Sequence, residues 1–327
     1  MVSAERHEPL VVTVPQALAG MRVDRAVSIL TGVSRSEAAA LVAGGRVHVG
    51  GRPVLQRSSP LPAGRELTVE LPAAETALEP DASVPFELVY EDADLVVVDK
   101  PAGIVVHPGA GSRRATLIAG LLAHYPDIGA LASVSDPTRP GVVHRLDKGT
   151  SGLLVVARSP LAYRSLVAQM GARTVGRRYL ALVSGIVPDD RGVIDAPVGR
   201  STRTPTKMAV TPSGRPARTR YVVVDRLQRL FVRGGWVSRP STLLACTLET
   251  GRTHQIRVHF AAIGHPVVGD DRYGAAAARG VLAPGRLFLH AAELAIDHPV
   301  TGARTTWSSS LPDDLRVVPE DLPHVTG

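Results

Sequence analysis

A chain of 327 residues, 44% hydrophobic and 20% charged, is long enough for about two domains and too apolar to be largely disordered. Its single cysteine, Cys246, excludes an internal disulfide framework and any multi-cysteine metal site, and no apolar run reaches the roughly 18 residues of a membrane helix. The net charge is +7, and every basic residue except Lys100, Lys148 and Lys207 is arginine, so arginine usage alone says little about partners.

In chain order, residues 1–16 read as a tail, and Met1 to Glu8 lack the basic-then-apolar order of a signal peptide, so a cytoplasmic location is expected. Residues 17–73 read as a compact unit. Met21 to Leu30 carry apolar residues at helical spacing. Ser34 and Glu37 have the spacing of a capping box before a helix over Ala38 to Ala43, stopped at Gly44-Gly45. Val47-His48-Val49 followed by Gly50-Gly51 is a hairpin signal, and Gly64 to Leu71 form a strand. With Arg22-Val23-Asp24, Ser34-Arg35-Ser36 and Gly45-Arg46-Val47-His48-Val49-Gly50-Gly51, this unit resembles the S4 RNA-binding module. Gly50 stands where that module usually has Asn, and Gly accepts the same positive φ. The resemblance implies that Arg22, Arg35 and Arg46 contact RNA.

Residues 74–85, with Pro80 and Pro85, read as a linker, and 86–312 as one larger domain. Leu88 to Tyr90 and Leu95 to Val98 flank an acidic turn and suggest a hairpin. A strand over 152–158 leads into a helix with Ser159 as N-cap and Pro160 in its first turn. Leu161, Leu166 and Met170 are expected on its buried side, and Gly171 is expected to end it. Further strands are expected at Arg178 to Ser184, Tyr221 to Val224 and Leu243 to Glu249; Cys246, in this last run, reads as a buried small hydrophobe. Thr253 is the expected cap of a helix burying Ile256, Phe260 and Ile263. Between residues 200 and 239 lie ten basic residues and one acid, Asp225, which is either the footprint of a polyanion or a solvated loop. Residues 313–327 read as a loose tail. Strand-rich stretches with single helices between them give an α+β fold.

Four clusters carry the chemistry. Asp99-Lys100-Pro101-Ala102-Gly103 runs on to His107. His144-Arg145-Leu146-Asp147 enters Thr150-Ser151-Gly152 and a buried strand. Arg177-Arg178-Tyr179 heads another strand. Glu249-Thr250-Gly251-Arg252-Thr253-His254-Gln255-Ile256-Arg257 surrounds a helix start. His254 and His259 are five apart, off a common helix face, which is not the spacing of a metal-binding pair. Neither a phosphate-binding glycine loop nor a hydrolase nucleophile elbow fits these residues.

Together these clusters resemble the RNA pseudouridine synthases typified by the ribosomal large-subunit enzymes, over the whole chain apart from its tails. The resemblance implies a catalytic domain with a mixed, mainly antiparallel sheet flanked by helices and loops. It implies isomerisation of uridine to pseudouridine in RNA, by cleaving the glycosidic bond and rejoining base and sugar through carbon, with no cofactor and no metal. Large-subunit ribosomal RNA, or its assembly intermediate, is the implied partner of a monomeric protein with no membrane attachment. Transfer RNA is the alternative substrate, and a non-catalytic RNA-binding or ribosome-assembly factor the alternative function. By the same resemblance Asp147 is the catalytic carboxylate, Tyr179 stacks on the uracil and relays the proton from carbon 5, and Arg257 pairs with the aspartate. Arg145 helps displace the target base. His144, Thr150, Arg252, His254 and Gln255 line the substrate. Whether the aspartate attacks base or sugar, or leads to a glycal, stays open. Arg177 replaces the more usual lysine. The stretch 230–242, with Arg233 and Trp236, is either an RNA-gripping hairpin or a neutral insertion.

Overall fold

The structure, a computed structural model, describes residues 9–33, 35–71, 78–108, 115–204, 206–228, 230–232, 235–237, 240–274, 286–316 and 318–319, the side chains of 36, 230–232, 235–237 and 318–319 excepted. The chain divides into two compact units, residues 1–77 and 78–327.

The first unit holds β1 (Leu10–Thr13), α1 (Val23–Thr31), α2 (Arg35–Ala43), β2 (Val47–Val49), β3 (Arg52–Pro53) and β4 (Glu66–Val69). Its sheet runs β1-β4-β2-β3, all antiparallel. Val23, Ala26 and Val27 of α1 meet Ala38, Leu41 and Val42 of α2 over Val47, Leu67 and Val69 of the sheet. The β2–β3 hairpin turns through Gly50 and Gly51, both at positive φ (56° and 75°), which joins the strands tightly at no steric cost. Ser34 lies outside the described residues. The expected tail over 1–16 is corrected by β1, which covers the open edge of β4. Leu10 and Val12 turn toward the core, and Val11 and Thr13 turn outward.

The second unit holds β5 (Glu87–Glu91), β6 (Leu95–Lys100), α3 (Leu117–His124), β7 (Ser151–Ala157), α4 (Pro160–Ala172), β8 (Gly176–Ser184), β9 (Arg191–Asp195), β10 (Val198–Arg200), β11 (Met208–Val210) and β12 (Arg218–Leu227). It continues through β13 (Leu230–Val232), β14 (Gly235–Val237), β15 (Ser241–Leu248), α5 (Gln255–Ala262), β16 (Leu289–Asp297), β17 (Arg304–Ser308) and β18 (Val318–Pro319). The main sheet runs β5-β6-β7-β16-β8-β15-β12-β9, with β17 on β16. Its pairs are antiparallel except β7 with β16, so the sheet is mixed and mainly antiparallel in an α+β unit.

Strand β7 is buried along its whole length. Strand alternation divides its side chains between two cores. Leu154 and Val156 join Val96 and Val98 beneath Leu117, Ile118 and Leu121 of α3. Leu153, Val155 and Ala157 join Leu95 and Val97 against Ala162 and Leu166 of α4. A strand sandwiched in this way is rigid, and it carries the loop 142–150 at its head. Ser159 caps α4 by accepting from the Ala162 amide at 3.1 Å. The expected burial of Leu161 is corrected: it is exposed, and Ala162 takes the inward position. The helix ends at Arg173 in the left-handed region rather than at Gly171.

Two further expectations are corrected. In the stretch read as a linker, Val84 is buried and the Asp81 amide donates to the Ala119 carbonyl at 2.9 Å, so residues 78–85 pack on the second unit. In the stretch read as a loose tail, Leu315 is buried among Leu182, Leu227, Val268 and Phe288, and β18 pairs with β13. Among the described residues no helix is long and apolar enough to cross a membrane.

Candidate active site

The head of β7, the start of β8 and the start of α5 converge on a cavity of about 500 Å³ in the second unit. Asp147 lies in the loop before β7, and a turn closes behind it as the Thr150 amide donates to the Asp147 carbonyl at 3.1 Å. Its Oδ2 accepts from Arg257 Nη1 at 2.9 Å. The rest of the Arg257 fork grips Asp270, with Nε to Oδ2 at 2.7 Å and Nη2 to Oδ1 at 2.9 Å. Burial works against the Arg257 charge, but the Asp270 hydrogen bonds and the Asp147 charge outweigh it and raise its pKa. Burial likewise opposes ionisation of Asp270, yet Arg257 and the amides of Tyr273 and Arg272 hold that carboxyl below its ordinary value. The cluster is therefore one guanidinium between two carboxylates, one sealed and one facing the cavity. Asp270 escaped the sequence reading: the only signal is an acid beside Gly269 and ahead of Tyr273-Gly274, in no recognised pattern.

His254 rather than Thr253 caps α5, in the left-handed region at φ 58°. Its Nδ1 lies 2.7 Å from the Tyr273 hydroxyl, and that hydroxyl accepts from the Met208 amide at 3.1 Å. With the Tyr273 hydroxyl donating to Nδ1, the proton of the neutral ring sits on Nε2, 3.9 Å from Asp147 Oδ1. Burial lowers the His254 pKa against the pull of Asp147, so the ring stays neutral near pH 7. Ile256 and Phe260 are buried as expected, whereas Ile263, beyond the end of α5, is exposed.

Tyr179, near the start of β8, is buried and lines the same cavity. Burial raises its hydroxyl pKa despite Arg177, and Asp147 adds to the shift. Arg145 is exposed at the rim, with Nη1 3.3 Å from His107 Nε2. Arg252 lines the wall and donates Nε to the Pro216 carbonyl at 3.0 Å. His144 Nε2 accepts from the Val155 amide at 3.1 Å, and burial pushes its pKa down to about 3. Its proton must then sit on Nδ1. His144 Nδ1, Thr150 Oγ1 and Arg177 Nε are buried with no partner among the described residues, and all three residues line the cavity. Buried polar atoms in such a position await a polar ligand or water.

Gln255 also lines the cavity, but its side chain is fully engaged within the protein. Its Oε1 accepts from Thr250 Oγ1 and the Arg252 amide, and its Nε2 donates to the Arg218 carbonyl and Thr219 Oγ1. With these four bonds it fastens α5 to β12 and has no donor left for a substrate. His259 is similarly engaged by Thr219 Oγ1 and the Ala196 carbonyl. Arg233 and the side chain of Trp236 lie outside the described residues.

The basic block of 200–239 also reads differently in three dimensions. Arg218 reaches Glu249 and Asp195, Arg220 reaches Glu249, and Arg226 reaches Asp190. The balancing acids lie in β9 or just beyond the ends of β9 and β15. Of the described residues of the block, Arg215 lines the cavity, where it is one of seven arginines facing two carboxylates, Asp147 and Glu249. In the first unit Arg22 is forked onto Asp24 at 3.0 and 2.7 Å, while Arg35 and Arg46 are exposed.

Comparison with known proteins gives this geometry a family. Residues 94–262 match the profile described as RNA pseudouridylate synthase, and residues 21–67 match the S4 domain. A ribosomal large subunit pseudouridine synthase D of Nitrosomonas europaea is 40% identical, covering 98% of this chain and 91% of the relative. An uncharacterized RNA pseudouridine synthase of Mycobacterium bovis is 43% identical over 96% of each chain. Among solved structures, human RNA pseudouridylate synthase domain containing 1 is 29% identical with a TM-score of 0.56, covering 72% of this chain and 86% of that one. With one profile spanning more than half its length and relatives aligned over nearly all of it, the chain belongs to the RNA pseudouridylate synthase family.

Proposed function

We propose that this protein isomerises uridine to pseudouridine in large-subunit ribosomal RNA, with Asp147 as the catalytic carboxylate. The observation that carries the reading is Asp147 held by Arg257 beside buried Tyr179, at the floor of an arginine-lined cavity. The reaction breaks the bond from N1 to the ribose, turns the uracil, forms a bond from C5 to the ribose, and moves one proton off C5 while N1 gains one. It is an isomerisation, so atoms and electrons balance without a co-reactant.

A paired or stacked uridine must leave its helix to reach the carboxylate, and Arg145 at the rim is placed to fill the gap. The wall arginines suit the phosphates on either side of the target, which position the RNA without reading it. Asp147 is bonded on one oxygen by a single N–H, so its other oxygen stays available to the sugar or base. Tyr179 is neutral in its pocket and can relay the C5 proton only by releasing its own to a neighbour in the same event. His144 Nδ1 and Thr150 Oγ1 are free to meet the polar edges of the base or ribose. Residues 17–73 hold the RNA through Arg35 and Arg46.

The test uses RNA labelled with tritium at uracil C5, since forming the new bond releases that label. Wild-type protein is expected to release tritium from large-subunit ribosomal RNA, and Asp147→Asn to bind the same RNA without release. Release from transfer RNA alone would overturn the substrate assignment. Normal release by Asp147→Asn would overturn the role of the carboxylate.

A further inference from the structure

The loop that presents Asp147 is fixed at three successive carbonyls. The Thr150 amide holds that of Asp147 at 3.1 Å, the Gly103 amide holds that of Lys148 at 2.7 Å, and Arg286 Nη1 holds that of Gly149 at 3.0 Å. The first two contacts are made by the loop itself and by the turn after β6. The third comes from a buried arginine far along the chain, with the Leu287 amide donating to the same carbonyl at 3.3 Å. An arginine side chain has five N–H donors, and Arg286 uses all of them. Nη1 also donates to the Leu287 carbonyl at 3.0 Å, Nη2 donates to Ser151 Oγ at 3.1 Å, and Nε and Nη2 donate to the two Asp314 oxygens at 2.7 and 3.2 Å.

The contacts continue on the other side. Ser151 Oγ lies 2.9 Å from His290 Nδ1, His290 Nε2 lies 3.0 Å from Ser309 Oγ, and Ser309 Oγ donates to Asp99, at the entrance to the Gly103 turn. The chain of bonds therefore closes around the back of the loop. Its outer anchor is Asp314, in the C-terminal segment, whose neighbour Leu315 is buried.

We infer that Arg286 and Asp314 are positioning residues for the reaction, and that the C-terminal segment sets the place of the Asp147 carboxylate by orienting the Arg286 fork against Gly149 and Ser151. Neither residue lines the cavity. This inference rests on the reading of Asp147 as the catalytic carboxylate. Without Asp314, the guanidinium keeps its charge but loses the partner that fixes its plane, and the Gly149 carbonyl loses a fixed donor. A lysine in place of Arg286 brings three donors where five are used, so charge alone cannot replace it.

The experiment compares Asp314→Asn, Asp314→Glu and Arg286→Lys with wild type in the full chain. It measures single-turnover tritium release, RNA affinity and melting temperature, well below the melting point of each variant. Asp313→Asn, at an exposed neighbour, is the control. Asp314→Asn is expected to slow release about tenfold and Arg286→Lys about a hundredfold, with RNA affinity within twofold of wild type. Asp314→Glu, which keeps the ion pair, is expected to recover most of the rate. A melting temperature that falls while the rate holds would make the pair a structural staple and overturn the inference. So would a parallel loss of rate in the Asp313→Asn control. If Arg286→Lys does not fold, the Asn and Glu variants at 314 decide the matter. Wild type inactive on ribosomal RNA would count against the substrate assignment instead, and the rate ratios would then be read on transfer RNA.

Discussion

Asp147 and Asp270 share one guanidinium, and their unequal burial divides the labour between them. Asp270 is sealed and takes two of the Arg257 bonds; Asp147 is partly open and takes one. Removing one member of a buried ion pair leaves an uncompensated charge, so Asp270→Asn is expected to cost about 3 kcal/mol of stability in urea unfolding as well as slowing tritium release. Asp147→Asn should cost much less stability, because its carboxylate meets the cavity. Lys100 is a second buried charge. Its Nζ donates to the Pro101 and Ile104 carbonyls at 2.8 Å, and burial, helped by Arg286, pulls its pKa from 10.5 to about 7. The unfolded chain therefore binds more protons than the folded one between pH 7 and 10.5, and stability rises with pH across that window. From pH 7 to 9 this amounts to about 2 kcal/mol, and the gain should vanish in Lys100→Met. Asp147, Tyr179 and Arg257 were legible in the sequence because each sits in a dense motif. Asp270 was not: what joins it to the site is a bond to a residue thirteen positions earlier, invisible until α5 and the loop after it fold together.

At the level of elements, β7 shows how a strand positions chemistry. Its apolar run was easy to read, but its parallel partner β16 was not, since parallel pairing requires a long connection that local patterns do not reveal. Gly152 records the closeness of the two strands. At φ 113° it faces the Ala291 backbone, and an added Cβ would lie 2.4 Å from the Ala291 carbonyl oxygen. Gly152→Ala must therefore push β16 away or break the start of β7. The expected outcome is loss of soluble, active protein, or a melting temperature lowered by more than 10 °C as followed by circular dichroism. Strand β1 and the docked C-terminal segment were missed for a common reason. Both are short and lie near chain ends, and each is ordered by a neighbour (the edge of β4, or the pocket under Leu315) rather than by its own pattern.

Across the whole molecule, the charge argument changes most. A window of sequence counted nine net positive charges in 200–239, yet folding pairs several of them with acids from β9 and β15 or just beyond them. Around the cavity, by contrast, arginines outnumber carboxylates, and Arg35 and Arg46 of the first unit are exposed. RNA affinity should still fall with salt, because the wall arginines displace counterions from phosphates. Arg35→Ala and Arg46→Ala are each expected to weaken binding to all RNA sequences alike and to reduce the slope of log affinity against log salt by about one, as measured by filter binding. Arg220→Ala, at a residue already paired with Glu249, should change that slope little.

The wiring of the main sheet has one more consequence, for synthesis. Ser151 pairs with Ala291's neighbour His290, and the guanidinium behind Gly149 waits for Asp314. A nascent chain can emerge with its aspartate motif, both its arginine-rich walls and its complete RNA-gripping front end, and still have a hole in the middle of the sheet where β16 belongs. The sheet and the bonds behind the Asp147 loop are thus completed by residues far later in the chain than the RNA-gripping elements, so a growing polypeptide has the parts that hold RNA before those that order this loop.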